Sequence, residues 1–383
     1  MKPIYLDYAA TTPADPRVVE AMHPFYGGRF GNPSSVHAFG QSAREAVDAA
    51  REVIAGAIGA REAEEVVFTS GATEADNFAV IGAAYANEGR GRHLMISPVE
   101  HHAVLEPARF LESRGFELTL LPVDGTGRVE PDAVRRAIRP DTILVSVMHG
   151  NNEIGTLQRI AEIGRITRAT GVIFHCDAAQ TLGIVPIDVQ ALGVDLLSMS
   201  AHKRYGPKGV GALYVRKGTP LVRFLHGGSH ERNRRAGTPN VPGIVGFGEA
   251  VRLAQEVMME EAARLRVQRD RMIAGVLRLD GLRLNGHPTE RLPGNVNVSF
   301  RGADSESLLL ALDLQGVAAS SGSACTSGSL EPSHVLAAIG LDPEIAAGTL
   351  RFSLGRWTTE EEIDDVLEIL PRILDQVRSA FVS

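Results

Sequence analysis

Two cysteines in 383 residues, Cys176 and Cys325, are too few and too differently placed for a disulfide framework. A reducing, cytoplasmic setting is the expectation. Long apolar runs are missing as well. None approaches the roughly 20 residues of a membrane span, and the start, Met1-Lys2-Pro3-Ile4-Tyr5-Leu6-Asp7, carries no apolar signal core. Positive charge is in short supply: 39 Lys and Arg against 46 Asp and Glu leave a net charge of −7. That balance gives no support to a nucleic-acid or anionic-membrane partner. No cysteine/histidine spacing points to a bound metal.

What remains is an ordinary soluble composition, 44% hydrophobic and 22% charged, in a chain long enough for two domains. Forty glycines suit many tight turns between strands and helices. After a short lead of residues 1–13, a helix is expected over 42–60, where Ala43, Ala46, Val47, Ala50, Val53, Ile54 and Ala57 recur at helical spacing. A repeated grammar follows, in which an apolar run ends in polar residues and then a helix. Val66-Val67-Phe68 leads to Thr69-Ser70-Gly71-Ala72-Thr73-Glu74, and Leu94-Met95-Ile96 to Glu100-His101-His102. Ile143-Leu144-Val145-Ser146-Val147 leads to Asn151-Asn152-Glu153, and Val172-Ile173-Phe174-His175-Cys176 to Asp177-Ala178-Ala179-Gln180. The fifth run, Val194-Asp195-Leu196-Leu197, ends in Ser198-Met199-Ser200-Ala201-His202-Lys203 and a Gly/Pro turn.

Strands alternating with helices predict an α/β fold with a mostly parallel sheet flanked by helices. Parallel strands end on one edge, where ligands bind, so the five junctions should converge on one site. A helical tract over 241–277 then leads to a smaller α+β domain. There Asn295-Val296-Asn297-Val298-Ser299-Phe300 alternates like a half-buried strand, and helices are expected over 305–312 and 360–377. Thr349-Leu350-Arg351-Phe352-Ser353-Leu354 reads as a strand with Arg351 on its polar face. The expected division is a large domain over 14–257 and a small one made of 1–13 and 258–383.

The junction residues suggest a chemistry. A lysine at the mouth of a sheet can be tuned from a pKa of about 10.4 towards neutrality, which suits Schiff-base formation. Ser200 and His202 beside Lys203 are phosphate donors, and so is the turn at Ala72 and Thr73 that opens a helix. Asp177, at the end of a buried strand, needs a cationic partner. His101 could stack on an aromatic ring or move protons, and Gln180 could face the same pocket. Together these are the requirements of pyridoxal phosphate, whose ring needs an anchoring lysine and a carboxylate on its nitrogen.

Cys325 lies in Ser320-Ser321-Gly322-Ser323-Ala324-Cys325-Thr326-Ser327-Gly328-Ser329, a polar, small-residue loop that suits an accessible, reactive thiol. Cys176, inside a β-branched run, reads as inert core.

Over nearly its whole length the chain resembles the cysteine desulfurases of the class V aminotransferase-like family, with fold-type I pyridoxal phosphate architecture. The resemblance rests on Tyr8-Ala9-Ala10-Thr11-Thr12-Pro13, Gly71-Ala72-Thr73-Glu74-Ala75-Asp76-Asn77, Glu100-His101 and Asn151-Asn152-Glu153-Ile154-Gly155. It continues in Asp177-Ala178-Ala179-Gln180, His202-Lys203, Ser323-Ala324-Cys325-Thr326 and Arg351-Phe352-Ser353-Leu354-Gly355-Arg356. The long loop around Cys325 is similar to that of the housekeeping and nitrogen-fixation subgroup. The resemblance implies that Lys203 holds the cofactor, His101 stacks on its ring, Asp177 pairs with its nitrogen and Gln180 contacts its phenolic oxygen. Ala72, Thr73, Ser200 and His202 fall to the phosphate, and Thr238 to the phosphate of the partner subunit in a homodimer. Asn152 touches cofactor and substrate, Arg351 the substrate carboxylate, and Cys325 receives the sulfur. The implied reaction turns L-cysteine into L-alanine and hands sulfur to an acceptor protein such as an iron-sulfur scaffold. Selenocysteine lysis and transamination are the competing readings, and a transaminase has no use for the loop thiol of Cys325.

Overall fold

The computed structural model describes residues 3–321 and 333–382. Seven strands build the central sheet: β2 (Val66–Thr69), β3 (His93–Ile96), β4 (Glu117–Leu120), β5 (Thr142–Ser146), β6 (Ile173–Asp177), β7 (Leu196–Ser200) and β8 (Gly211–Val215). Their order is β2-β8-β7-β6-β5-β3-β4. Pairings from β4 to β7 are parallel, and β8 runs antiparallel to both its neighbours. Strand β2 therefore points the same way as β7, and the junctions after both open on one edge. The Gly211 position explains how β8 fits between them. A Cβ there would stand 2.5 Å from the Met199 carbonyl oxygen and 2.7 Å from Gly71. Only glycine allows the backbones to approach this closely.

Successive strand residues feed opposite cores, as the pleat requires. Val66, Phe68, Met95, Leu197 and Tyr214 pack into one, and Val67, Leu94, Ile96, Leu196 and Leu213 into the other. Apart from the edge strand β4, the sheet is thus buried on both faces, as helix-covered parallel sheets are. The helix Ala72–Asn87 covers one face, and Ala38–Ala57 with the first half of Val241–Val276 covers the other. The first of these long helices begins four residues before the expected position. The His37 imidazole accepts the Gly40 N–H and caps it.

The remainder forms a three-stranded antiparallel sheet, β12 (Thr349–Ser353)-β10 (Asn295–Phe300)-β9 (Leu282–Leu284), packed on Ser305–Leu314 and Glu360–Val382. Strand β10 is buried along its whole length rather than half-buried as expected. Its polar face is covered by protein: Asn285 donates to Asn297 at 2.8 Å and to Ser299 at 2.7 Å, and Asn295 and Asn297 donate to the Glu153 carbonyl. The alternation there reflects polarity, and the polar side chains are paired within the protein instead of exposed. The lead segment joins this core, with β1 (Ile4–Tyr5) parallel to β11 (Val317–Ala318). No helix among the described residues is long and apolar enough to cross a membrane.

Candidate active site

The strand junctions meet at a cavity of about 540 Å³. It is lined by Ala72, Thr73, His101, Asn152, Asp177, Gln180, Ser200, His202, Lys203 and Arg351 among others. Of the expected site residues, ten thus line one space. Thr238 does not. It lies exposed beside a neighbouring pocket of about 170 Å³ that shares only Ser70 and Gly209 with the main cavity. Cys325 falls outside the described residues. Larger still is an apolar groove of about 810 Å³, which meets the cavity at Thr73 and His101, takes in His102 beside them, and includes none of Asp177, Ser200, Lys203 or Arg351. The polar side chains His102, Glu106, Arg223 and His226 line the groove alone, whereas Asp177, Ser200, Lys203 and Arg351 meet in the smaller cavity, which is the candidate site.

Lys203 ends a short 3-10 turn, Ala201–Lys203, that follows β7 directly. Its Nζ donates to the carbonyl oxygens of Ala9 and Ala10 at 2.6 and 2.7 Å, and Gln180 donates to the same Ala9 carbonyl at 3.0 Å. His202 shares a 3.0 Å hydrogen bond with the Thr11 hydroxyl, and burial together with the Lys203 charge pulls its pKa down to about 4. His101 caps the helix His102–Ser113, and its Nδ1 accepts the Ala103 N–H at 3.1 Å. Burial and then the nearby Lys203 lower this imidazole to about 4. It is therefore neutral at physiological pH, and with Nδ1 accepting, the proton sits on Nε2.

Asp177 ends β6. One carboxylate oxygen accepts the Ala179 N–H at 2.8 Å, yet burial, followed by the Asp76 charge, pushes the group up to about 7. Beneath it lie two further acids. Asp76 is fully buried with His175 Nε2 3.5 Å away, and burial raises it to about 7. Glu100 accepts the Met148 N–H and is pushed well above the carboxylate range, by burial first and then by Asp177. A bed this acidic with so little cation around it favours a positive ligand at Asp177.

At the far side, Arg351 of β12 is 2% exposed. It donates from Nη2 to Asp7 at 2.7 Å and from Nη1 to the Asn152 carbonyl at 3.1 Å. Asp7, Asp76, Met148 and the Ala9 and Ala10 carbonyls are site contributors that sequence reasoning did not single out. Asp76 and the two alanines stood inside motifs already quoted for the resemblance, which was the available signal.

The donor set fits pyridoxal phosphate. The N-terminus of a 16-residue helix with the Thr73 and Ser200 hydroxyls suits the phosphate. Asp177 suits a ring cation, and Lys203 and Arg351 line the same cavity.

The chain matches the class-V aminotransferase family over residues 4–366. It is 54% identical to a cysteine desulfurase IscS of Dictyoglomus turgidum, over 98% of this chain and 95% of that one. It is 53% identical to a cysteine desulfurase IscS of Methanosarcina thermophila, over 99% and 93%. Among solved structures, a NifS-like protein superposes with a TM-score of 0.92 at 38% identity, covering 98% of this chain and all of that one. The chain belongs to the class-V aminotransferase family of pyridoxal phosphate enzymes, among its cysteine desulfurases.

Proposed function

We propose that this protein converts L-cysteine to L-alanine and passes the sulfur to Cys325 as a persulfide, for iron-sulfur cluster assembly or other thio-cofactors. The observation that carries the reading is the convergence of Lys203, Asp177, Thr73, Ser200, His202 and Arg351 on one cavity. Bound pyridoxal phosphate supplies an electron sink that acidifies the substrate's α-proton. Every other role falls to the chain. Ala72, Thr73, Ser200 and His202 would hold the phosphate, Asp177 would pair with the ring nitrogen, Gln180 would serve the phenolic oxygen, and His101 would stack on the ring. Lys203 would anchor the cofactor, and its amine is the base placed to take the substrate's α-proton. Arg351 grips the carboxylate with its planar fork, and Asn152 helps to orient the amino acid. The Cys325 thiolate attacks the substrate sulfur, so the C–S bond breaks as the S–S bond forms. The C–S electron pair stays on the substrate's β-carbon, which takes up a proton to become the methyl group of alanine.

In this reading residues 14–257 form the cofactor domain, and 1–13 with 258–383 the domain that carries Cys325. Two copies associate, and Thr238 reaches the phosphate held by the partner subunit. A cytoplasmic location and a sulfur-acceptor protein complete the assignment. Purified protein given cysteine should release alanine and form protein-bound persulfide. Borohydride reduction should fix the cofactor on Lys203; a label on Lys208, or none, would refute the assignment.

A further inference from the structure

The lead segment is more than packing for the small core. Within a few residues it touches both ends of the site. The Ala9 and Ala10 carbonyls hold the Lys203 ammonium, and Thr11 and Thr12 hold His202. Asp7, two residues before Ala9, holds Arg351 through one carboxylate oxygen, 2.7 Å from Nη2. The segment is itself secured to β12, where Asp7 bridges to Ser353 and the Ser353 hydroxyl accepts the Ala9 N–H at 2.9 Å. An α-amino acid carries its amine and carboxylate on one carbon. Here one short, fixed stretch of backbone sets the group that meets each.

We propose that Asp7 is the positioning residue that aims the Arg351 guanidinium at the substrate carboxylate. Three observations support this. The Arg351 side chain is 3% exposed, so its charge needs a partner inside the protein before substrate arrives. Asp7 supplies that partner by a short charge-assisted bond, and Asn152 fixes a second nitrogen of the same fork. The Arg351 backbone is pinned as well, by paired hydrogen bonds with Ser320. With main chain, Nη1 and Nη2 each anchored, the fork is set in advance, which is what lowers the cost of orienting a ligand. Asp7 touches no reacting atom in this account. The inference rests on the role given to Arg351 above.

The test compares two ligands that differ by one carboxylate, L-alanine and ethylamine, titrated against the cofactor absorbance of the holoenzyme. Asp7→Ala should weaken L-alanine by about 10- to 100-fold, the scale of a misplaced orienting group, and leave ethylamine unchanged. Asp7→Asn keeps a carbonyl acceptor for Arg351 and should fall between the wild type and Asp7→Ala. It also carries the test should the alanine variant fail to fold. Equal weakening of both ligands would reduce Asp7 to a structural role and overturn the proposal. Tighter binding of L-alanine would overturn it too, by making Asp7 a competitor for Arg351. The titration needs no sulfur chemistry, so it remains decisive if the desulfurase reading fails.

Discussion

Tyr205 lies with its ring 4.2 Å from the Arg356 guanidinium carbon, and its hydroxyl accepts the Arg356 backbone N–H. The pair ties the lysine turn to the small core, because Tyr205 is two residues after Lys203 and Arg356 follows β12 of Arg351. Arg356 is further fixed by Glu261 at 2.9 Å and Asp15 at 3.0 Å. Tyr205 accepts a left-handed φ of 58° to make the contact, an expensive geometry for a bulky residue unless its surroundings enforce it.

Tyr205→Phe keeps the ring under Arg356 and removes only the acceptor. It should lower the unfolding free energy by about 1–2 kcal/mol, the cost of a polar group left unpaired. Urea unfolding of the cofactor-free protein measures this. An unchanged midpoint would mean that the ring alone makes the tie.

The loop that carries Thr238 is held just as firmly. Glu231, Arg232 and Asn233 have φ of 47°, 54° and 65°, three left-handed residues in a row. Glu231 secures them, taking both terminal nitrogens of Arg51 at 2.7 and 2.9 Å and the Phe68 N–H at 3.0 Å. Both side chains of the pair are buried. Glu231→Ala would strand the Arg51 charge inside the protein and should cost about 3–5 kcal/mol. Thermal unfolding at low and high salt checks it. A small, salt-sensitive loss would mark the pair as solvent-exposed instead.

Most of the central sheet could be read from residues because its strands obey a local rule: an apolar run ends at a polar junction, as at Phe68, Ile96 and Cys176. Strand β4, Glu117–Leu120, is an edge strand with no buried residue. Its Leu118 and Leu120 alternate over too short a span, with no polar junction after them, to fit the rule the other strands obey. Strand β8 was missed because Gly211–Val215 follows the Gly/Pro turn directly, with no polar junction of its own. The site followed the same division. Thr73, Asp177 and Lys203 sit at the ends of local patterns. The link from Asp7 to Arg351 joins residues 344 positions apart, and no periodicity reports a contact of that kind.

Asp177 gives a pH dependence with a definite sign. Burial and then the Asp76 charge raise it to about 7 in the folded chain, against an ordinary 3.8. The folded state therefore binds this proton more tightly than the unfolded one. Its contribution to stability is complete below about pH 4 and is lost as pH rises to about 7. Asp177→Asn in cofactor-free protein should match the wild type at low pH and exceed it above pH 7, by roughly 2–4 kcal/mol. The same variant should bind pyridoxal phosphate more weakly, since no carboxylate remains for the ring cation. His101, His149, His175 and His202, each lowered to about 4, act the other way, so the difference between variant and wild type is the quantity to read. Wild-type stability at pH 8 equal to that of the variant would show that Asp177 is not strained by burial.

The two cysteines should separate chemistry from packing. Cys176 lies on β6 with no exposure, and burial, with Glu100 and Asp177 beside it, pushes its thiol well above the ordinary range. A thiol that resists ionisation is a poor nucleophile. Cys176→Ala should leave alanine and persulfide formation intact and cost at most about 0.5–3 kcal/mol of stability. Cys325→Ala removes the sulfur acceptor assigned above. It should keep cofactor binding, because Lys203, Asp177 and the phosphate donors are untouched, and should lose persulfide and sustained sulfide production. The measurement is alanine release from cysteine for each variant, sulfide release when an added thiol reduces the persulfide, and mass spectrometry of proteins treated with cysteine alone. Cys325→Ala turning over at the wild-type rate would sink the persulfide route, because sulfide would then leave without any enzyme thiol attacking the substrate sulfur. Persulfide found on Cys176 would be equally decisive, since it would require that buried thiolate to do the work assigned to Cys325.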